Sequence, residues 1–382
     1  WSVVVDVQGA LHSWGWNDYG QLGSGTKPYS DIPAPVVGLT GVEKIAADYS
    51  KSMAVRTDGT VWSWGGNHGG LGDGTFRPHH SSPVRLESLP ASSDVAAEFA
   101  SGLALSRNGE AWTWGGLPGQ ANVDIRYGPD RLSGFSGIRA IAPFTFVSDD
   151  GSVWNWGGNQ FGELGDGTTQ FRDTPVRVVG LSGIRFVSKG ERHRLAVDSD
   201  GRVWAWGQNE HGKLGDGTTV DRNLPVQVPG LTGVVSVYAS SSYSLALKSN
   251  GTVWTWGLAP QPDGRFSNVL SPSMVGGLWN VIAISGGRNY RAALRRDGTV
   301  WVWGGGGWGV LGSGDSWYSF STPTQRSGLS GIVAIAAGES HVLALRKDGT
   351  VLAWGQDWYG QLGRGFSAIQ TTPVPVVMGR GQ

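Results

Sequence analysis

The feature that most constrains this chain is a Trp-Gly pair repeated eight times, at Trp14, Trp64, Trp114, Trp156, Trp206, Trp256, Trp303 and Trp354. The intervals are 50, 50, 42, 50, 50, 47 and 51 residues. The text around each pair barely changes: DGTVWSWG from Asp58, DGSVWNWG from Asp150, DGRVWAWG from Asp200, NGTVWTWG from Asn250, DGTVWVWG from Asp297. Self-similarity at such a period means that each unit is one supersecondary element, able to bury its apolar faces only against its neighbours. The eight units fill all 382 residues with no linker or compositional break. A single domain is expected, with repeats at about 1–40, 41–91, 92–134, 135–181, 182–231, 232–278, 279–329 and 330–382.

Each unit parses into four short strands. In the last they are IVAIAAG from Ile332, HVLALRK from His341, TVLAWG from Thr350 and TPVPVV from Thr372. Asp-Gly or Asn-Gly joins the second and third strands in seven units, and Gln8-Gly9 in the first. That dipeptide suits a type I′ hairpin, with positive φ at both central residues. In the third strand Trp62 and Trp64 lie two apart and share one sheet face, while Val61 and Ser63 share the other. Neither face is strongly polar, as expected of a sheet covered on both sides. The Gly after each second Trp and the GxLGxG segments (Gly162 to Gly167, Gly212 to Gly217) call for tight turns that a side chain would obstruct. Units of about 50 residues with four strands each predict an all-β propeller of four-stranded antiparallel blades. No long stretch of 3.6-residue periodicity argues for helices.

The third strand with its LGxG loop, as in GQLGSGT from Gly20 and HVLALRKDGTVLAWG from His341, resembles the regulator-of-chromosome-condensation repeat along essentially the whole chain. The resemblance implies a propeller, usually of seven blades. Eight Trp-Gly pairs depart from that number. Trp1 aligns with His341, at the start of a second strand, so the first unit lacks its innermost strand, and PVVMGRGQ stops where another such strand would begin. Eight blades with one incomplete are favoured, and a seven-bladed ring with a displaced unit is the alternative.

Composition excludes several classes. Glycine is 63 of 382 residues, well above the usual ~7%, yet hydrophobic residues at 39% and aromatics at 10% suffice for a core. Thirty Lys plus Arg balance thirty Asp plus Glu, and no basic stripe appears, so nucleic acid is not the expected partner. With no Cys there are no disulfides, thiolate metal sites or thiol nucleophiles. No apolar run approaches the ~18 residues of a membrane span, so no membrane insertion is expected. The chain begins at Trp1 without an initiator Met or a signal peptide, and is read as a module of something larger, with a secreted or cell-surface setting favoured.

Strand alternation puts the first-to-second and third-to-fourth loops on one face, here called upper, and the Asp-Gly turns on the other. Five residues after each Trp-Gly tryptophan stand Tyr19, Gly69, Gly119, Phe161, His211, Gln261, Trp308 and Tyr359. These positions either pack down on the LGxG turn or form a ring of exposed aromatics. Units seven, eight and one are neighbours in a closed ring, and their upper loops hold Trp308, Trp317, Tyr318, Phe320, Trp358, Tyr359, Trp16 and Tyr19. Tyr and Trp are favoured anchors, offering large rigid area at small entropic cost. This arc is the candidate binding patch.

Other constellations carry less. His79-His80 with His68 is a poor metal set, because adjacent strand side chains point apart. His193 and His341 share a repeat position with Lys51, Tyr243 and Tyr290, which reads as loop packing. The Asp of LGDGT at Leu71, Leu164 and Leu214 is replaced by Ser24, Ser313 or Arg364 elsewhere, so turn chemistry outweighs Ca²⁺. No GxSxG, HExxH or GxxxxGK[ST] occurs, and no catalytic residue, metal or cofactor is assigned.

Three functions compete. The favoured one is a non-catalytic scaffold presenting aromatic-rich loops to a protein or glycan partner, with self-assembly through the incomplete first blade left open. The resemblance also implies guanine-nucleotide exchange on a small GTPase, although intervals of 42 to 51 residues leave no room for a projecting wedge between blades. A tryptophan-based ultraviolet photoreceptor is the third. The segments matching that relative's chromophore motif, GERHR from Gly190 and GESHV from Gly338 among them, lack Trp, and fourteen of the twenty Trp belong to the structural repeat.

Overall fold

The computed structural model describes residues 2–5, 9–16, 29–35, 39, 41–48, 51–66, 70–75, 79–98, 101–116, 126–142, 144–261, 263, 265–305, 311, 320–327, 329–337, 341–346, 351–355 and 370–375. These residues form 31 strands and a single 3-10 turn at Glu210–Gly212. Successive strands pair antiparallel into eight separate sheets. The first has three strands, Ser2–Val5, Leu11–Trp16 and Tyr29–Pro35. The remaining seven have four each. The complete blades therefore number seven, the alternative raised by the sequence. The three-stranded sheet belongs to the unit whose innermost strand the sequence lacks.

The fifth and sixth sheets show how the repeat builds a core. Their strands are Ile184–Lys189, His193–Asp198, Val203–Gly207 and Arg222–Gln227, then Val234–Ala239, Tyr243–Lys248, Val253–Pro260 and Phe266–Met274. Period-2 alternation sends Trp254 and Trp256 toward the fifth sheet, where they pack with Leu195, Val203 and Leu214. Val253 turns the other way and packs against Val281, Ala293 and Trp303 of the seventh. The core is thus a series of apolar seams between sheets, and each sheet from the second to the seventh is covered on both faces by its neighbours.

An indole clamp closes the top of three of the seams. The Trp206 Nε1–H donates to the carbonyl of Glu163 at 2.9 Å, Trp256 to that of Lys213 at 2.7 Å, and Trp114 to that of Gly70 at 2.9 Å. Each indole reaches back to the residue before the Leu of the preceding LGxG loop. The following glycine lies under the ring. A Cβ at Gly215 would stand 2.8 Å from the Trp256 ring, and one at Gly72 would stand 2.6 Å from Trp114 Nε1. These glycines also hold φ of +76° and +82°, so their invariance within the repeat has two causes.

The lower hairpins differ from the expected type I′. Only their glycines have positive φ, from +72° at Gly201 to +85° at Gly59, and the preceding Asp or Asn does not. Gly201 N–H donates to Asp198 O at 3.0 Å and Asp198 N–H to Arg202 O at 3.1 Å. This is a three-residue loop closed by a left-handed glycine. The acidic residue contributes by its side chain instead: Asp150 accepts from the Ser152 N–H at 2.8 Å and its hydroxyl at 2.7 Å. Those bonds, the Ser152 hydroxyl first, hold the Asp150 carboxyl below its ordinary value.

The turn glycine also meets the next blade. A Cβ on Gly151 would lie 2.4 Å from Gly183 Cα. Ile184 N–H donates to Gly151 O at 3.0 Å, and Ser199 N–H to Gly183 O at 2.9 Å. Each connector is therefore clasped between two hairpins by backbone hydrogen bonds. The same clasp joins the three-stranded sheet to its neighbour, where Val42 N–H donates to Gly9 O at 2.9 Å.

Removing the clamp should destabilise the molecule steeply. Trp206→Ala is expected to cost about 3–5 kcal/mol, through cavity formation and an unpaired Glu163 carbonyl. Trp206→Phe, which keeps a ring but no donor, should cost about 1–3 kcal/mol. Urea denaturation of the wild type and both variants tests the ranking, and equal midpoints for Phe and wild type would remove the hydrogen bond from the account.

Candidate functional site

The described part of the upper face carries an open polar groove across the fifth to seventh sheets. Its floor is made by the first-to-second loops around Gly190, Ser240 and Gly287, with Ala337 of the eighth sheet at its end. Lys189, Glu191, Tyr238 and Arg288 face this cavity of about 520 Å³. A second depression of about 370 Å³ shares Glu191, Ser241 and Arg288 with it, and adds Arg192, Glu210 and His211 from the outer rim.

Hooks between neighbouring blades bring these loops together. His193 is fully buried, and its Nε2 lies 3.0 Å from Ser244 Oγ of the next sheet. Burial, with the Lys213 and Arg194 charges nearby, holds its imidazole well below the ordinary histidine value, hence neutral. Tyr243, at the same repeat position, donates its hydroxyl toward Gly287 O at 3.0 Å and Tyr290 O at 2.5 Å. Burial raises its phenol far above the usual range. The position read from sequence as loop packing is thus a buried strut across the seam. The nearby glycines are space requirements: a Cβ on Gly190 would lie 2.5 Å from Ser240 O, and one on Gly286 only 2.1 Å from the Tyr243 hydroxyl.

Two buried cations lash neighbouring blades together. Lys213, the variable residue of GKLG, donates from Nζ to Gln208 Oε1 at 2.7 Å and to Ser241 O at 2.9 Å. Burial pulls its ammonium below the ordinary lysine value. The Arg291 guanidinium stacks 3.6 Å from the Tyr243 ring centroid and donates to the carbonyls of Leu258 and Asn289. Its pKa is pulled down to about 10 by burial. Both join neighbouring blades: Lys213 ties a third-to-fourth loop to the next blade's first-to-second loop, and Arg291 ties the first-to-second loop at Asn289 to the preceding blade's third strand at Leu258. Neither residue was singled out from sequence. The signal lay in the matched pairs His193-Arg194 and Tyr290-Arg291, which repeat a cation directly after the strut.

The outer loops are built by Asp and Asn. Asn209 Nδ2 donates to Asp216 Oδ1 at 3.0 Å and to the carbonyls of Thr218 and Val220, while its Oδ1 accepts from Leu214 N–H at 2.9 Å. Asp216, with its side chain only 7% exposed, accepts from the Thr218 hydroxyl at 2.8 Å and from Arg222 at 2.6 Å. Asn159, Asp166, Thr168 and Arg172 repeat the arrangement one blade earlier. The Asp of LGDGT thus organises its own turn.

Of the aromatic arc, Tyr19, Trp308, Trp317, Tyr318, Trp358 and Tyr359 lie outside the described residues, as does the side chain of Trp16. Phe320 is described: half-buried, it packs against the apolar seam of the seventh and eighth sheets beneath the Arg326 guanidinium. Three members of the fifth-residue series are also visible, and Gln261 donates from Nε2 to the Ala259 carbonyl of its own unit at 3.4 Å. The other two turn outward. Phe161 lies under Arg192 at 5.0 Å, and His211 Nδ1 meets Asn268 Oδ1 at 3.0 Å. Both lean sideways onto the following blade rather than down onto their own turn. His68 lies outside the described residues, and among those described no three His, Cys, Asp or Glu side chains converge as a metal set.

Sheets wedged by tryptophan about an axis, with loops lashed into a polar groove on one face, define a β-propeller of the binding type. The sequence profile of the RCC1-like domain matches residues 1–262, and that of the regulator of chromosome condensation (RCC1) repeat matches 297–345 and, in a second form, 332–361. The chain belongs to the RCC1-like family. Among solved structures it is similar to Prp20p of Saccharomyces cerevisiae, at 20% identity over 98% of this chain and 87% of that one, with a TM-score of 0.67. Yeast RCC1 (Prp20) bound to Kap60 matches at 21% identity over 98% and 85%, with a TM-score of 0.67. Human WBSCR16 matches at 20% identity over 97% and 95%, with a TM-score of 0.68. At these identities the likeness establishes the shared fold.

The buried Asp pair predicts an acid-sensitive loop face. Burial acts to raise both carboxyls, but the Thr and Arg hydrogen bonds outweigh it and hold Asp166 and Asp216 below the ordinary value. Their contribution is therefore complete above the unfolded carboxylate range and is lost as pH falls through the folded values. Thermal unfolding from pH 7 down to about 3 should show a decline that is shallower in the Asp166→Asn, Asp216→Asn double variant. An unchanged slope would mean that other groups carry the acid response.

Proposed function

We propose that this chain is a non-catalytic scaffold whose upper loop face takes up a protein partner. One observation carries the reading: Lys213 and Arg291 fix the loops of the groove from below, so little loop entropy opposes binding. The rim mixes Lys189, Arg192 and Arg288 with Glu191 and Glu210, a pattern suited to a protein surface. The arc of Trp16, Tyr19, Trp308, Trp317, Tyr318, Phe320, Trp358 and Tyr359 is assigned to the same face as a second contact region. Support for a protein partner over a glycan comes from the similar structures, since Prp20p is described with its binding to Gsp1p and histones, and yeast RCC1 with Kap60.

The likeness to Prp20p also favours a second reading, guanine-nucleotide exchange on a small GTPase. The two separate cleanly. Alanine at Trp308, Trp317 and Trp358, and charge reversal at Glu191 and Arg288, should each weaken capture of the native partner by about tenfold or more with the fold intact. Release of a fluorescent GDP from a purified small GTPase should be unaffected by the chain. Acceleration of that release would replace the scaffold reading by exchange, and unchanged capture by every variant would dispose of this face as the binding surface.

A further inference from the structure

The innermost strands of the seven complete blades each carry a bulge one residue from their start. In the sixth sheet Val234 opposes Lys248 and Ser236 opposes Leu247, leaving Val235 without a partner. The extra residues of the seven bulges are Glu43, Ser93, Arg139, Arg185, Val235, Ile282 and Val333. An unpaired bulge residue is free of the ladder, so its side chain can be chosen for another purpose. Four successive blades place a charged or hydroxyl side chain there, and the next three place an aliphatic one. Val235, Ile282 and Val333 are 55%, 43% and 49% exposed.

A tryptophan joins them. Trp279 stands just before the left-handed Asn280, where the other connectors have Thr40, Pro90, Ser136, Ser182, Thr232 and Ser330. It is 52% exposed, and Arg295 stacks on its ring at 4.6 Å. The side chain of Arg139 shows the direction a bulge residue takes, since it donates to the Ile184 carbonyl at the start of the next blade. By the same register Val235 occupies the bulge of the blade before Trp279, and Ile282 that of the blade before Val333. Single exposed apolar residues are ordinary, whereas an arc over three consecutive blades marks an interaction surface.

Charge decides what covers it. Arg185 occupies the bulge before Val235 and is exposed, and exposed Arg296 is joined to the connector by its N–H to Asn280 O at 2.8 Å. The nearest carboxylate, Asp297, is engaged by Thr299 and lies 3.5 Å from Arg295. We propose that this lower-face arc is a second docking surface, which binds a partner segment carrying apolar anchors flanked by carboxylates. Trp279 and Ile282 receive the anchors, while Arg185 and Arg296 receive the acids. This surface is separate from the upper groove, and its test does not depend on that one.

The probe is a short fluorescein-labelled peptide with leucine and phenylalanine anchors between aspartates, titrated against the full chain by anisotropy. Control peptides carry lysine in place of aspartate, or serine in place of the anchors. The acidic apolar peptide should bind, and both controls should bind at least about tenfold more weakly. Trp279→Ser and Ile282→Ser should each weaken it several-fold. Serine is the residue that other connectors already use at the first position, so folding is preserved there, and circular dichroism checks both variants. Arg185→Glu with Arg296→Glu should abolish the preference for aspartate over lysine. Alanine at Trp308 and Trp358 should change nothing. Equal affinity for the lysine peptide, or wild-type affinity in Trp279→Ser, would overturn the proposal. So would light scattering that shows a dimer dissolved by Trp279→Ser, because a second copy would then be the occupant.

Discussion

The fold depends on the seam where the indole of one blade lies across the glycine of the blade before it. Three residue types are coupled there. The tryptophan supplies the area to fill a widening gap, and its buried N–H requires an acceptor, found in the carbonyls of Glu163, Lys213 and Gly70. The acceptor is available because the LGxG turn presents it, and the turn fits because its glycine has neither a Cβ nor a negative φ. Leu164 and Leu214 plug the turn from inside. Changing one member alone leaves the other two without purpose, which explains why six of the eight Trp-Gly segments are followed by LGxG. Backbone clasps at the opposite edge repeat the logic without side chains. Stability is accordingly close to a sum of nearest-neighbour terms.

A scaffold fixed at both edges of each seam leaves its loops little freedom, and the upper groove uses what remains. Lys213 and Arg291 are held by carbonyls, an amide and a ring face. Burying a cation in this way costs solvation energy, which the carbonyl dipoles and the tyrosine ring offset in part. Their lowered pKa values are the mark of that residual cost. In return, two loops that would otherwise move independently are joined at a point below the surface. The rim charges Glu191, Arg192 and Arg288 then stand on a stiff base.

The architecture was legible because the repeat repeats its chemistry: a Trp-Gly in all eight units, an Asp-Gly or Asn-Gly in seven and an LGxG in six determine four strands and two kinds of turn. The hairpin type was misread because Asp-Gly is compatible with two loops. What decided between them was the Asp carboxylate, which takes the N–H two residues ahead, together with the approach of the next blade, as at Gly151 and Gly183. Lys213 and Arg291 were hidden for the opposite reason. They are not repeated in every unit, and nothing in a sequence says that a lysine within a turn motif points inward. Trp279 is hidden in the sequence because it stands in a connector, outside both the VWxWG strands and the upper loops.

Variation within a repeat shows where constraint ends. The Trp-Gly tryptophan stands in every unit, because in the seams it meets the neighbouring blade at van der Waals distance. The bulge residue and the residue before the left-handed connector lie outside the seams, and there the units diverge freely. Divergence without pattern would be drift. The observed order is different: hydroxyl or charged side chains over four blades, then Val235, Ile282 and Val333 over three, with the exposed Trp279 among the latter. A ring built from identical units acquires direction only through such positions. The polar groove lies across the fifth to seventh sheets with Ala337 of the eighth at its end, and the apolar arc lies across the sixth to eighth on the opposite face.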